Sequence, residues 1–160
     1  SVLARLPARR DIGGIARRAG AAEQIRAQPG SNVLLLDAGD ICDGTPFSTE
    51  YRGEADVAAM NAAGYDAACP GNHELNNTIA QMRRLAAMAK YPTVCANIRS
   101  TSDSKLMYAP HVIKRMGPVR VGIFGLTQGN TRRRRRVFQL NRRYQPRVPP
   151  LPICGHNRMW

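Results

Sequence analysis

The chain has 160 residues, enough for one domain with a hydrophobic core, and its net charge of +13 is unevenly distributed. Residues 131–160 contain nine arginines and no acidic residue, whereas residues 1–130 contain 15 Lys and Arg against 11 Asp and Glu. No apolar run reaches the roughly 18 residues that a membrane-spanning helix needs, so the sequence predicts no transmembrane segment.

Apolar residues recur with helical and strand periods in turn along the first hundred residues. Three helices are predicted. The first begins after Gly13 and Gly14 and has Ile15, Ala19, Ala22 and Ile25 on one face; the others span Glu54–Ala63 and Thr78–Lys90. The predicted strands are Asn32–Leu36, Tyr65–Cys69 and Pro92–Ile98, followed by a hairpin of His111–Arg115 and Val119–Leu126. This alternation predicts a layered α/β domain over residues 1–130.

Two polar tetrapeptides follow the first two predicted strands. Asp37-Ala38-Gly39-Asp40 comes after the first strand and Gly71-Asn72-His73-Glu74 after the second. The carboxyl ends of strands are where open α/β sheets build their sites. Because carboxylate, amide and imidazole groups are suitable ligands for divalent metals, this pattern indicates metal-assisted hydrolysis.

The four cysteines do not form a C-x-x-C pair, which argues against a thiolate zinc site. We interpret them as small buried apolar residues and leave disulfide bonds open. No signal peptide is visible and the chain begins with Ser1 rather than Met, so the compartment is left open too.

The regular pattern ends after Asn130. Residues 131–160 are rich in Arg and Pro and are predicted to be disordered or non-native, the second interpretation implying an altered reading frame or a cloning scar. The alternative is that the run Arg132–Arg136 binds nucleic acid or an anionic membrane, which would make the chain a non-enzymatic basic binding module.

Residues from about Asp11 to Thr127 resemble the N-terminal domain of the 5′-nucleotidase branch of the calcineurin-like metallophosphoesterases. The matching segments occur in the family's order and spacing: Gly13–Arg17, Leu34–Asp40, Gly44–Pro46 with Ser48, Met60–Asp66, Gly71–Glu74, Ala96–Ile98 and Val121–Thr127. The resemblance implies a four-layer αββα sandwich, present here in part, and a periplasmic or extracellular location.

The resemblance also implies two divalent metal ions (Zn, Mn, Mg or Ca) and a nucleotide or other phosphate-ester substrate. Asp40 resembles the carboxylate that bridges both metals, Asn72 resembles the amide ligand of the second metal, and His73 resembles the catalytic histidine beside the leaving oxygen. In the family, a metal-bound hydroxide attacks phosphorus in line with that oxygen, and a positioned imidazole typically adds about 10²–10⁴ in rate.

The chain departs from the family's metal-ligand pattern in three places. Nothing in Ser1–Arg10 supplies the Asp-x-His motif of the family's first strand. The family has an Asp that hydrogen-bonds the catalytic histidine where this chain has Asn76. Of the other two histidines, His111 lies where the family has no ligand, and His156 follows Gly155 but lacks the second histidine of Gly-His-x-His.

These departures predict that the chain alone is impaired or inactive. The family's C-terminal nucleoside-binding domain is also expected to be missing, which leaves base and sugar specificity open. We interpret Asp37 and Asp43 as structural or solvent-facing residues, and we expect Glu74 to support its loop rather than to bind metal.

Overall fold

The computed structural model describes residues 14–42, 46–128 and 138–140. Its helices are α1 (Ile15–Arg26), α2 (Pro46–Tyr51), α3 (Glu54–Ala62) and α4 (Ile79–Met88), with a short 3-10 helix at Glu74–Asn76. Its strands are β1 (Leu36–Asp37), β2 (Ala67–Ala68), β3 (Ile98–Ser100), β4 (His111–Met116), β5 (Val119–Phe124) and β6 (Phe138–Leu140). Within these residues no helix is long and apolar enough to cross a membrane.

The predicted helices are confirmed with small changes at their ends. Gly64 follows α3 with a φ of 69°, as expected of a residue that ends a helix in the left-handed region. Thr78 caps α4, because its hydroxyl accepts a hydrogen bond from the Gln81 amide at 3.2 Å. The helix α2 was not predicted, since its first residue was assigned to the preceding loop.

The face predicted for α1 is wrong at Ile25, whose side chain is 48% exposed. Arg26 lies four residues after the buried Ala22 and continues that face instead. Its guanidinium donates to the Gly64 carbonyl at 2.7 Å and lies 3.4 Å from the Asp66 carboxylate. The Arg26 side chain therefore lies on the inner face of α1, where the sequence analysis placed Ile25.

The parallel pair β1–β2 places Leu36 opposite Ala67 and Asp37 opposite Ala68. Both strands are shorter than predicted, and β1 overlaps the predicted strand Asn32–Leu36 only at Leu36. Ahead of β1 a side chain replaces the ladder, because the Leu35 amide donates to the Asp66 carboxylate at 3.0 Å. The pair is continued by hydrogen bonds from the Cys69 amide to the Asp37 carbonyl and from the Val94 amide to the Ala68 carbonyl.

The strand predicted over Pro92–Ile98 is wrong in its extent. Thr93 and Val94 form isolated parallel bridges, and regular pairing begins only at Ile98 in β3. The reason is that successive amides bond to different loops: Cys95 donates to the Ala109 carbonyl and Ala96 to the Gly125 carbonyl, both at 2.9 Å. No single neighbouring strand is available for a ladder there.

The predicted hairpin is confirmed as the antiparallel pair β4–β5, with His111 opposite Phe124 and Met116 opposite Val119. The strand β6 pairs antiparallel with β3 and lies within the segment 131–160 that was predicted to be disordered or non-native. The arginine run and residues 141–160, with Cys154 and His156, lie outside the described residues, as does Asp43.

The core contains three clusters of buried apolar side chains. In one of them Met60 is fully buried beside Ala63, Tyr65 and Tyr91, and the Tyr91 hydroxyl lies 3.3 Å from the Met60 sulfur. A second cluster gathers Leu75, Met82, Cys95 and Ile98, and the third gathers Cys42, Val57 and Leu85. The first cluster lies beside β1 and β2, since Leu35 and Ala68 pack against it.

We expect Met60→Ala to lower the free energy of unfolding by about 2–5 kcal/mol, because the neighbouring side chains cannot fully close the cavity. Met88→Ala is the matched control: its side chain is 36% exposed, and a loss below about 1 kcal/mol is expected. Urea unfolding followed by circular dichroism measures both variants. Equal losses would contradict the assignment of Met60 to the core.

Candidate active site

Two loops meet where β1 and β2 end. Because the strands are parallel, the loops that follow them leave the same edge of the sheet. The first loop carries Asp40, and the second carries Asn72 and His73. The structure thus brings together the loops of all three residues that were singled out from the sequence.

The loops touch through glycine. A Cβ atom added to Gly39 would overlap the backbone of Gly71, and one added to Gly71 would overlap Asp40. Gly39 also has a φ of 95°, which a side chain would disfavour. Both glycines are therefore required for the loops to approach each other.

Asp40 is held in a left-handed conformation, with a φ of 59°. Few residues other than glycine adopt this region, although Asp and Asn do so more readily than most. The conformation is held from the second loop, because Asp40 Oδ1 accepts the His73 amide at 2.9 Å. The predicted metal ligand and the predicted catalytic residue are thus joined directly by a hydrogen bond.

Glu74 bonds the two loops to each other. Its Oε2 accepts the amides of Asp40 at 2.7 Å and Gly71 at 2.6 Å, and its Oε1 accepts the amide of Cys42 at 2.8 Å. The side chain is 7% exposed, so these bonds form away from bulk water. The prediction that Glu74 supports the loop is confirmed, and its reach across to the first loop is a further finding.

Asp37 has a structural role in the turn that follows β1, as predicted. Its Oδ1 accepts the Gly39 amide at 2.8 Å. Burial raises the pKa of its carboxyl group, and the bond from Gly39 only partly offsets that shift. Asn72 and His73 are half-buried, as Asp37 is, whereas Asn76 and His111 are exposed.

A buried asparagine holds the segment that follows the hairpin. Asn97 donates from Nδ2 to the Thr127 carbonyl at 2.8 Å and accepts the Thr127 amide at 3.0 Å. These two bonds join two of the family-like segments, Ala96–Ile98 and Val121–Thr127. Sequence reasoning assigned no function to Asn97, although a polar residue after an apolar strand is a signal that could have drawn attention to it.

An open polar groove of about 360 Å³ lies beside the loops. It shares Cys42 with the first loop and Asn76 with the 3-10 helix, and its lining is Cys42, Ser48, Arg52, Asn76, Asn77, Thr78 and Gln81. Sequence reasoning did not identify this groove, because its walls come from segments far apart in the chain. The polar run Asn76-Asn77-Thr78 was its only sequence signal.

The residues that the structure describes do not make up a site for two metal ions. Asp40 and Asn72 supply one carboxylate and one amide, and within residues 14–42, 46–128 and 138–140 no group of three His, Cys, Asp or Glu could hold an ion. A divalent ion takes six or more oxygen ligands, or four in tetrahedral zinc sites. Further ligands are therefore needed before either ion can be held.

We expect Glu74→Gln to lower the free energy of unfolding by about 1–3 kcal/mol, because its NH₂ group must face at least one of the three buried amides. Glu54→Gln is the matched control. Glu54 pairs with Arg84 at 3.0 Å on the surface, and such pairs contribute at most about 1 kcal/mol. Chemical unfolding at neutral pH compares the two variants, and an equal effect would contradict the role given to Glu74.

The comparisons with known proteins match the region that carries these loops. The family model described as calcineurin-like phosphoesterase matches residues 11–156. The chain is 42% identical over 130 residues to 5′-nucleotidase of Bos taurus, covering 78% of this chain and 22% of that protein. It is 38% identical over 105 residues to the silent protein UshA(0) of Salmonella typhimurium, covering 66% and 19%.

Solved structures agree with the sequence comparison. The 5′-nucleotidase precursor from Thermus thermophilus superposes with a TM-score of 0.66 at 36% identity, covering 72% of this chain and 23% of that one. The calcineurin-like phosphoesterase YfkN from Bacillus subtilis gives a TM-score of 0.63 at 28% identity, covering 79% and 45%.

These neighbours confirm the predicted fold, a partial metallophosphatase α/β sandwich. The chain spans about a fifth of the length of the curated relatives it matches. Members of this family use divalent metals. From the family match and the shared fold together, the chain belongs to the calcineurin-like phosphoesterase family.

Proposed function

We propose that the chain serves the hydrolysis of phosphate monoesters, with nucleotides as the substrate class. In this proposal His73 is the catalytic residue, and Asp40 and Asn72 contribute to metal binding. The observation that carries it is the hydrogen bond from the His73 amide to Asp40 Oδ1, which fixes the two loops in one arrangement.

The choice of His73 rests on leaving-group chemistry. Hydrolysis of a phosphate monoester releases an alkoxide, which leaves readily only when it is protonated. Imidazole titrates near neutral pH and can deliver that proton. Asn76 stands where the family has a carboxylate, and an amide stabilises an imidazolium less than a carboxylate does. This difference predicts slow turnover, with the roughly 10⁴-fold loss seen for an Asp→Asn change in a serine protease as an upper guide.

Asp40 and Asn72 are two donors where a metal pair needs several more. Asp40 Oδ1 already accepts the His73 amide. A carboxylate oxygen has more than one lone pair, so this bond leaves both oxygens able to bind an ion. The residues of this chain thus fit a part of a metal site.

The nucleotide substrate rests on relatives named 5′-nucleotidase, to which the chain is similar over about a fifth of their length. The expected periplasmic or extracellular location rests on the family resemblance alone. The alternative of nucleic-acid binding through Arg132–Arg136 falls outside the described residues and has no support from the comparisons, so we do not propose it.

We expect slow phosphate release from a nucleoside 5′-monophosphate when Mn²⁺ or Zn²⁺ is in excess over the chain, with water completing the coordination of the ion, and loss of that release on addition of a chelator. His73→Ala should lower the rate by about 10²–10⁴, the usual contribution of a positioned imidazole. His111→Ala is the control, because His111 is an exposed residue of the hairpin. A colorimetric phosphate assay measures all three proteins.

Release from the parent chain that does not exceed release from His73→Ala would contradict the proposed activity. A His111→Ala variant as slow as His73→Ala would contradict the choice of His73. Both variants should unfold at the same urea concentration as the parent, which separates a chemical effect from a loss of fold.

A further inference from the structure

Two cysteines lie in contact at the base of the second loop. Cys69 follows β2 directly, and Cys95 follows the bridge residue Val94 on the neighbouring segment. The Cys69 side chain packs against the buried cluster that contains Cys95, and each thiol shifts the pKa of the other. The Cys69 thiol also donates to the Pro70 carbonyl at 3.5 Å, and the Cys95 thiol to Asn97 Oδ1 at 3.2 Å. Both are free thiols in this structure.

The backbone around the pair holds the two segments together. The Val94 amide donates to the Ala68 carbonyl at 2.8 Å, and the Ala96 amide donates to the Gly125 carbonyl at 2.9 Å. A Cβ added to Gly125 would lie 2.6 Å from the Cys69 sulfur, so the backbone of this glycine packs against Cys69. These backbone contacts hold the segments that carry Cys69 and Cys95 side by side.

We propose that Cys69 and Cys95 form an oxidation site, at which a hydroperoxide converts the two thiols into an intramolecular disulfide bond. Cys42, the third cysteine that the structure describes, lies in a different buried cluster and has no part in it. The proposal is independent of the proposed hydrolytic function.

The electrostatics of the pair distinguish the two sulfurs. Hydrogen bonds from Cys69 and from nearby backbone amides lower the pKa of the Cys95 thiol, while the same thiol contact and burial raise the pKa of the Cys69 thiol. Cys95 is therefore the attacking thiolate and Cys69 holds the proton. A cavity of about 50 Å³ is lined by Cys69 but not by the fully buried Cys95, so a molecule little larger than water approaches the pair from the Cys69 side.

The reaction balances in two steps. The Cys95 thiolate attacks one oxygen of hydrogen peroxide, the O–O bond breaks, and a sulfenic acid forms as hydroxide leaves. The Cys69 sulfur then attacks the Cys95 sulfur and the S–O bond breaks. The first hydroxide takes up the proton that Cys95 lost on forming its thiolate, and the hydroxide released from the sulfenic acid takes up the Cys69 proton. The peroxide is thus reduced to two waters as the two thiols lose two electrons and two protons.

Peptide mapping tests the site directly. The reduced native chain is treated with hydrogen peroxide, its remaining thiols are alkylated, and it is digested with trypsin without reductant. Trypsin places the cysteines in separate peptides: Cys42 in residues 27–52, Cys69 in 53–83, Cys95 in 91–99 and Cys154 in 148–158. We expect a cross-link of 53–83 to 91–99 and the loss of both alkylated peptides.

Two matched samples show whether the fold directs the pairing. Cys42→Ser should form the same cross-link, whereas a urea-unfolded sample should give mixed pairings. Cys69→Ala should leave Cys95 as a sulfenic or sulfinic acid without a cross-link. Alkylated Cys95 that persists in the native parent, a dominant cross-link to Cys42 or Cys154, or equal pairing in the folded and unfolded samples would overturn the proposal.

Discussion

The arrangement of the candidate active site depends on one carboxylate, that of Glu74. Its two oxygens accept three backbone amides, two from the loop after β1 and one from the loop after β2. Hydrogen bonds to a charged acceptor are stronger than neutral ones, and burial strengthens them further. Without this carboxylate, three buried amides on two loops would have no acceptor.

The other features of the loops follow from that constraint. Amides from both loops can reach one carboxylate only if the backbones nearly touch, which is why glycine is required at Gly39 and Gly71. The same approach forces Asp40 into the left-handed region and places its Oδ1 on the His73 amide. Glu74, to which no role in substrate binding is given, therefore determines where the proposed metal ligand Asp40 and the proposed catalytic residue His73 lie.

Much of the fold and of the site could be predicted from periodicity and motifs. The helices α3 and α4, the hairpin and the loops carrying Asp40, Asn72 and His73 were expected, because each is specified by residues close together in the chain. Features that depend on distant partners were missed or misplaced. The Asp66 carboxylate shortens β1, the carbonyls of Ala109 and Gly125 replace a regular third strand, and Arg26 rather than Ile25 continues the inner face of α1.

The described part of the chain combines a well-formed loop arrangement with two of the proposed metal donors, Asp40 and Asn72, and no group of three His, Cys, Asp or Glu that could hold an ion. The loops are held by backbone hydrogen bonds to Glu74 and Asp40, which require no ion. Metal binding instead needs donors gathered from several strands, and Asp40 and Asn72 supply two of them. Asn76 adds a second difference, since an amide cannot balance the charge of an imidazolium. The loops of this protein can thus hold their arrangement whether or not a metal ion is bound.

Native-state hydrogen exchange tests the central claim most directly, since it reports on the three amides that Glu74 accepts. The account predicts that the amides of Asp40, Cys42 and Gly71 exchange slowly in the parent chain, and that all three lose protection together in Glu74→Gln. The Ala109-bonded amide of Cys95, which does not contact Glu74, should keep its protection in that variant. Fast exchange of the three amides in the parent, or protection that survives Glu74→Gln unchanged, would contradict the account.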